Sequence, residues 1–229
     1  MQLFYLEKPE NEIILSAQES NHATKVLRKK EGEILYFTDG KGGSHKAKIT
    51  FADSRKCRLK IISSEQKEKQ HNYHLHIAIA PTKNMDRFEW FLEKATEIGV
   101  DEITPIICSR SERKVIKTDR GNRILLSAMK QSLKYYLPKL NKAINLKDFL
   151  ENNIDDAKYI AHCEDGEKDE LKTIEKKEKY LILIGPEGDF SKKEVDLALK
   201  NEFKAISLGT SRLRTETAGI IAAHTINIK

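Results

Sequence analysis

Two segments of this 229-residue chain join a glycine-ended apolar run to side chains able to do chemistry. In the first, the apolar run 180–184 reads as a strand buried on both faces, entering the turn Gly185-Pro186-Glu187-Gly188. Ser191 and Glu194 then form a capping box for a helix over 192–201. Glycines at the carboxyl end of a parallel strand let a ligand approach the backbone, whose N–H groups bind polar ligand atoms. In the second, a strand over 205–208 ends in Leu208-Gly209. Arg212, Leu213, Arg214, Thr215, Glu216, Thr217 and Ala218 follow, opening an apolar helix. Two arginines there can clamp an anionic substrate, and Thr215 or Thr217 can cap the helix. Either segment alone reads equally well as a tight strand-to-helix turn. Two such loops at consecutive strands, side by side at one sheet edge, favour a ligand site.

Other chemistries find little support. Neither segment is a G-x-G-x-x-G or a Walker loop, so dinucleotides and ATP are not indicated, and no H-E-x-x-H or G-x-S-x-G occurs. His74 and His76 alternate along one strand, the pattern of an exposed face rather than a metal site, and His22 reads as a surface residue or an RNA contact. Cys57, Cys108 and Cys163 are odd in number and lack C-x-x-C spacing, which points to a reducing cytosol rather than a disulfide framework. No run approaches the roughly 18 apolar residues of a membrane span, and the first residues lack the pattern of a signal peptide.

Charge is unevenly spread. The formal net charge is +6, but residues 110–147 alone carry 11 basic and 2 acidic side chains, while 148–178 carry 5 basic and 11 acidic. The first 71 residues hold 14 basic and 10 acidic side chains. This distribution reads as a polyanion footprint flanked by an acidic face, or as ordinary solvated helix surface.

The elements that must position these residues fall into two groups. Short strand-like runs at 2–6, 12–15, 34–38, 47–52 and 57–62, interrupted by a helix over 16–28 with Ser16 and Glu19 as a capping box, predict a small β-barrel. The polar stretch 63–71 reads as a linker. Strands then alternate with helices: strands at 75–80, 103–107, 159–162, 180–184 and 205–208, helices at 86–98, 122–137, 192–201 and from 215. That grammar predicts a parallel sheet with helices on both faces, hence an α/β fold with domains at 1–71 and 72–229.

The residues quoted above resemble a known family. Ile184-Gly185-Pro186-Glu187-Gly188, taken with Leu208-Gly209 and Leu213-Arg214-Thr215-Glu216-Thr217-Ala218, is similar to the paired signatures of the bacterial 16S ribosomal RNA uracil-N3 methyltransferases. These belong to the SPOUT class, whose C-terminal chain is tied in a deep trefoil knot. Glu93-Lys94-Ala95-Thr96-Glu97-Ile98-Gly99-Val100 with Pro105 and Arg110, and Val26-Leu27-Arg28 after His22, extend the likeness over essentially the whole chain. The chain departs from the family where it has Asp189 in place of a second glycine. It also has Lys130 for the usual glutamate and Lys134 for an arginine, around Gln131, Ser132 and Leu133. Lysine lacks the planar fork of arginine.

The resemblance implies a PUA-like RNA-binding barrel over 1–71 and a knotted methyltransferase domain over 72–229. It implies S-adenosylmethionine as cofactor, held around His162, Leu183, Ile184, Gly185, Pro186, Glu187, Gly188, Leu208, Gly209, Leu213, Thr215, Thr217 and Ala218. Arg214 and Glu216 would act on the uracil. RNA would be bound by His22, Lys25, Arg28, Lys83, Lys94, Arg110, Arg113, Gln131, Lys134 and Arg212. The implied partners are 16S rRNA of the small ribosomal subunit and a second copy of the chain through the last helix, in the cytoplasm, with no membrane and no metal. Two alternatives stay open: a related enzyme acting on the ribose 2′-oxygen or another base, and a non-catalytic RNA-binding adaptor.

Overall fold

The structure is a computed structural model that describes residues 2–152 and 157–229. Met1 and residues 153–156, which include two acidic residues of the 148–178 stretch, lie outside the described residues. The chain forms two compact units, Met1–Gln70 with Met129–Leu137, and His71–Ala128 with Pro138–Lys229.

In the first unit, strands β1 (Leu3–Tyr5), β2 (Glu12–Ile14), β3 (Ile34–Thr38), β4 (Gly43–Phe51) and β5 (Arg58–Gln66) make one sheet in the order β1-β3-β4-β5-β2. Only β1 and β3 are parallel; the other pairs are antiparallel. Alternate residues such as Phe37, Ala47, Ile49 and Leu59 face a core that also takes in Phe4, Ala23 and Cys57. The polar residues 63–66, expected in a linker, instead extend β5 opposite Gly43–Lys46 of β4. That end of β5 is exposed, and a solvated strand has a linker's composition. The expected helix over 16–28 is a short α-helix, α1 (Ala17–Asn21), continued by a π-helical turn over His22–Val26 and stopped by Arg28 at φ 55°. Ser16 Oγ accepts the Glu19 N–H at 3.2 Å, while the Glu19 carboxylate pairs with Lys130 Nζ at 3.0 Å. Lys134 Nζ donates to Gln70 Oε1 at 3.0 Å, and burial pulls its pKa down. The two lysine departures from the family pattern therefore have partners within this unit.

In the second unit, β6 (His74–Ile79), β7 (Glu102–Ile107), β8 (Lys139–Leu140), β10 (Lys158–Ala161), β11 (Asp169–Glu170), β12 (Lys179–Ile184) and β13 (Lys204–Ser207) lie in the order β11-β13-β10-β12-β6-β7-β8, with β9 (Ile144–Asn145) beside β7. Every pairing is parallel. The helices are α2 (Met85–Ile98), α3 (Thr118–Gln131, its last residues assigned to the first unit), α4 (Leu146–Glu151), α5 (Lys192–Lys200) and α6 (Thr215–Asn227). Strands β6 and β12 are buried on both faces, as the apolar runs 77–79 and 180–184 require, and β6 also buries His76. On one face, α4 and α5 bury Phe149, Leu150, Val195 and Ala198 against Ala78, Leu181 and Leu183. On the other, α6 packs on α2 and β6 so closely that a methyl group on Gly219 would come within 2.6 Å of the Phe91 ring.

Three sequence expectations change here. The helix expected over 122–137 runs Thr118–Gln131. Gly121 lies inside it, where a side chain would strike Leu140, and Leu133 at φ 56° is already past its end. His76 is not on an exposed face: it is buried, with Nε2 2.7 Å from Thr104 Oγ1. The loops after β12 and β13 do not sit on neighbouring strands, because β10 lies between them.

Candidate active site

The three strands β13, β10 and β12 run in register, Ile206 and Ile184 both level with Ala161, and all end at the same edge. The carboxyl ends of adjacent parallel strands are where open α/β sheets bind ligands. A cleft of about 800 Å³ opens over them, within the usual 300–1,000 Å³ of small-molecule sites. Its floor is apolar: Ala161, Ile184, Ile206, Leu208, Leu213 and Ala218. Of the sequence-predicted cofactor residues, His162, Gly185, Pro186, Glu187, Gly209 and Thr215 also line it, together with Arg212 and Arg214. Leu183 lies wholly in the core one residue below, and Gly188 packs on the Arg110 side chain. Glu216 and Thr217 face a separate, neighbouring pocket that shares Arg214 with the cleft.

The strand between the two glycine loops contributes His162. Neither ring nitrogen of His162 has a hydrogen-bond partner among the described residues, although both are buried. Burial, helped by the Lys168 ammonium, holds its pKa below that of an ordinary histidine, against the pull of Asp189 and Glu164, so the ring is neutral at neutral pH. A buried ring with two idle nitrogens in a cleft is an open recognition group.

Hydrogen bonds between loops set the shape of the cleft. Thr215 Oγ1, at the start of α6, donates to Gly185 O at 3.0 Å. Glu187 Oε1 accepts the Lys83 N–H at 2.9 Å, tying the loop after β12 to the one after β6. Arg110 donates from Nη1 to Gly188 O at 2.8 Å and Phe190 O at 3.3 Å, so it braces the same loop. Below it, the Glu194 carboxylate accepts from the N–H and hydroxyl groups of both Ser109 and Ser191. Burial would raise the pKa of Glu194, but these four donors outweigh burial and hold it below the usual range. Gly209, at φ 116°, takes a backbone conformation that strains other residues and leaves open space where a side chain would stand.

Asp189 explains its own departure from the family pattern. It sits at φ 62°, a left-handed conformation that aspartate tolerates better than most residues. Its Oδ2 accepts the Cys163 N–H at 2.7 Å and its Oδ1 the Phe190 N–H at 2.8 Å, so the carboxylate links the loops after β10 and β12. Asp189, Cys163 and Lys168 all line the cleft. The sequence reading missed the last two because they follow β10, whose end carries no glycine signal.

The proposed RNA contacts are dispersed. His22 and Lys25 lie on the π-helical turn of the first unit and Arg28 just past it, with His22 Nε2 3.3 Å from Gln2. Gln131 and Lys134 are near the end of α3 and just beyond it. In the second unit Lys83 pairs with Glu112 at 2.8 Å, Arg113 donates to Lys83 O at 3.2 Å, and Lys94 pairs with Glu93 and Glu97. Arg212 stands exposed at the cleft. Among the described residues no helix is long and apolar enough to cross a membrane, and no cluster of His, Cys, Asp and Glu could hold a metal ion.

Fold and site define a class. Residues 68–227 match the family model of the RNA methyltransferase domain, and residues 15–62 that of the RNA methyltransferase PUA domain. The chain is 32% identical to ribosomal RNA small subunit methyltransferase E of Mesomycoplasma hyopneumoniae over 95% of its own length and 94% of the relative's. It therefore belongs to the ribosomal RNA small subunit methyltransferase E family. A probable rRNA-methyltransferase from Porphyromonas gingivalis superposes with a TM-score of 0.94 at 40% identity, covering 100% of this chain and 99% of that one. The enzyme of this family from Neisseria gonorrhoeae, whose structure holds S-adenosyl methionine, superposes at 0.88 with 26% identity, over 97% and 95% of the two chains.

Proposed function

We propose that this protein transfers a methyl group from S-adenosylmethionine to N3 of a uridine in 16S rRNA of the small ribosomal subunit. The observation that carries the reading is the cleft over β13, β10 and β12, with the unpartnered His162 ring on one side and Arg214 at the border with the neighbouring pocket. The residues fit the cofactor. An apolar floor suits its adenine, the idle His162 nitrogens and the loop backbones at Gly185 and Leu208-Gly209 offer polar partners, and the volume is adequate. When bound, S-adenosylmethionine supplies a methyl group already activated on a sulfonium.

The chain's own task is then orientation and electrostatics. Uracil N3 is protonated at neutral pH, so transfer requires that the proton leave and that the developing negative charge be stabilised. The Arg214 guanidinium at the cleft border stabilises that charge, helped by the positive end of α6, whose first residue follows it. The Glu216 carboxylate orients or accepts the proton at Oε2, which has no hydrogen-bond partner among the described residues. His162, Leu183, Ile184, Gly185, Pro186, Glu187, Gly188, Leu208, Gly209, Leu213, Thr215, Thr217 and Ala218 form the cofactor site or its supporting frame.

We also infer a PUA-like RNA-binding module over 1–71 and a knotted catalytic domain over 72–229. The basic turn His22–Arg28 supports the first; the return of α6 onto α2 and β6, tied by Thr215 to Gly185, supports the second. A homodimer through α6 is supported by the apolar Ile220 and Ile221, only half-buried, and by exposed Ile228. Three free cysteines and an rRNA substrate support a cytoplasmic site of action. The test is calorimetry with S-adenosylmethionine and its demethylated product. Micromolar or tighter binding is expected, and no binding of either ends this reading.

A further inference from the structure

Beside the large cleft lies a second pocket of about 360 Å³, formed by Asp86, Arg87 and Trp90 of α2 and by Arg214, Glu216 and Thr217 at the start of α6. Two of its side chains stand out by their burial and partners. Glu216 is only 7% exposed, yet its Oε2 is buried without a hydrogen-bond partner among the described residues, and its Oε1 lies 3.8 Å from Arg87 Nε. That separation exceeds hydrogen-bond distance. Trp90 is 44% exposed, on a helix whose buried face is already filled by Phe88, Phe91, Leu92 and Ala95. A buried carboxylate oxygen with nothing to accept is costly in a native structure and marks a place where a donor arrives from outside.

We infer that this pocket receives the target base and selects uracil by its N3–H edge. The inference rests on the methyltransferase reading above and adds the identity and chemistry of the base site. The Watson–Crick edge of uracil presents acceptor, donor, acceptor: O2, N3–H and O4. The pocket presents the complement, an acceptor carboxylate from Glu216 with the arginines Arg87 and Arg214 to supply donors. Cytosine would turn the N3 lone pair and an amino group toward the same residues, leaving the carboxylate facing a second acceptor. Trp90 offers the flat face on which an extruded base stacks. Arg214 borders both spaces, so a base held here lies beside the cleft where the methyl donor is proposed to bind.

Trp90 is the sole tryptophan of the chain, so its fluorescence reports on this pocket alone. The probes are two short single-stranded RNAs differing only by one uridine or cytidine at a central position. The uridine RNA should quench Trp90 saturably and at least about 10-fold more tightly than the cytidine RNA. Glu216→Gln should erase that preference while cofactor affinity, measured by calorimetry, stays within about 2-fold of wild type. Trp90→Ala should raise the KM for RNA by about 10-fold or more, with cofactor affinity and subunit assembly unchanged and partial recovery in Trp90→Phe.

Equal quenching by the two RNAs, or full turnover by Trp90→Ala, overturns the proposal while the methyltransferase reading stands. Dissociation of the assembly by Trp90→Ala reassigns Trp90 to a subunit contact and overturns it as well. Failure of the wild-type protein to bind the cofactor instead overturns the functional reading, and this inference with it.

Discussion

Thr215 Oγ1 hydrogen-bonds the Gly185 carbonyl oxygen at 3.0 Å in a buried setting, so the first residue of α6 is fastened to the turn that follows β12. The bond joins the two glycine-ended segments of the sequence, although β10 separates their strands. Thr215→Val keeps the shape and strands the carbonyl without its donor. It should cost about 1–3 kcal/mol in urea unfolding and weaken cofactor binding, whereas Thr215→Ser should restore both. Unchanged stability and affinity in Thr215→Val would mean that the bond does not shape the cleft.

Arg214→Ala should lower kcat for methyl transfer by about 10²–10³, the loss seen when one donor to a developing anion is removed. Affinity for RNA should change by only a few-fold, because phosphate contacts spread over many residues dominate it. Single-turnover rates and filter binding on the same variant separate the two effects. Parallel losses in both would make Arg214 a binding residue instead.

The lowered pKa of His162 has two consequences with one sign. Below about pH 6.5 the unfolded chain takes up this proton before the folded one does, so its contribution to stability declines as pH falls toward the depressed folded value. Once the ring is charged, it adds a further cation to Lys168, Arg212 and Arg214 in the cleft that must hold a sulfonium. Affinity for S-adenosylmethionine should therefore fall from pH 7.5 to pH 5.5 more steeply than affinity for the uncharged thioether product. His162→Asn should remove that difference, as calorimetry at the two pH values would reveal.

Glu194 gathers four donors from Ser109 and Ser191 beneath the cleft. Glu194→Ala should destabilise the chain by about 1–3 kcal/mol. Because the folded pKa lies below the ordinary carboxylate value, wild-type stability from this group is present above about pH 4.3 and is lost as pH falls through the depressed value. Wild type and variant should thus converge in acid, which urea titrations across that range would show.

Legibility in the sequence followed how each residue earns its place. The parallel sheet was plain because β12 is buried on both faces and reads as the apolar run 180–184, in a chain where strands alternate with helices. The glycine turns of the cleft were plain where the backbone demands glycine, at Gly209 by its φ of 116° and at Gly185 by the Phe190 ring packed against it. The Ser191–Glu194 capping box was plain because both of its members are close in sequence. What stayed hidden depends on contacts between distant residues. Residues 63–66 are polar yet lie in β5, since a solvated strand needs no apolar face. Gly121 sits inside α3 because of Leu140, nineteen residues on. Lys168 and Cys163 reach the cleft only because β10 inserts between β12 and β13, and nothing in the sequence marks Trp90, which lies on α2 away from its buried Phe88, Phe91, Leu92 and Ala95.

The central claim, methyl transfer to uracil N3, is tested most directly by incubating the purified protein with methyl-labelled S-adenosylmethionine and small ribosomal subunits from a strain lacking the gene. The rRNA is then digested for nucleoside mass spectrometry. Label is expected in 3-methyluridine from 16S rRNA, at one site, and at least about 100-fold less of it with Arg214→Ala over the same interval. Label in a ribose-methylated nucleoside or in another base, or no label at all, would contradict that claim.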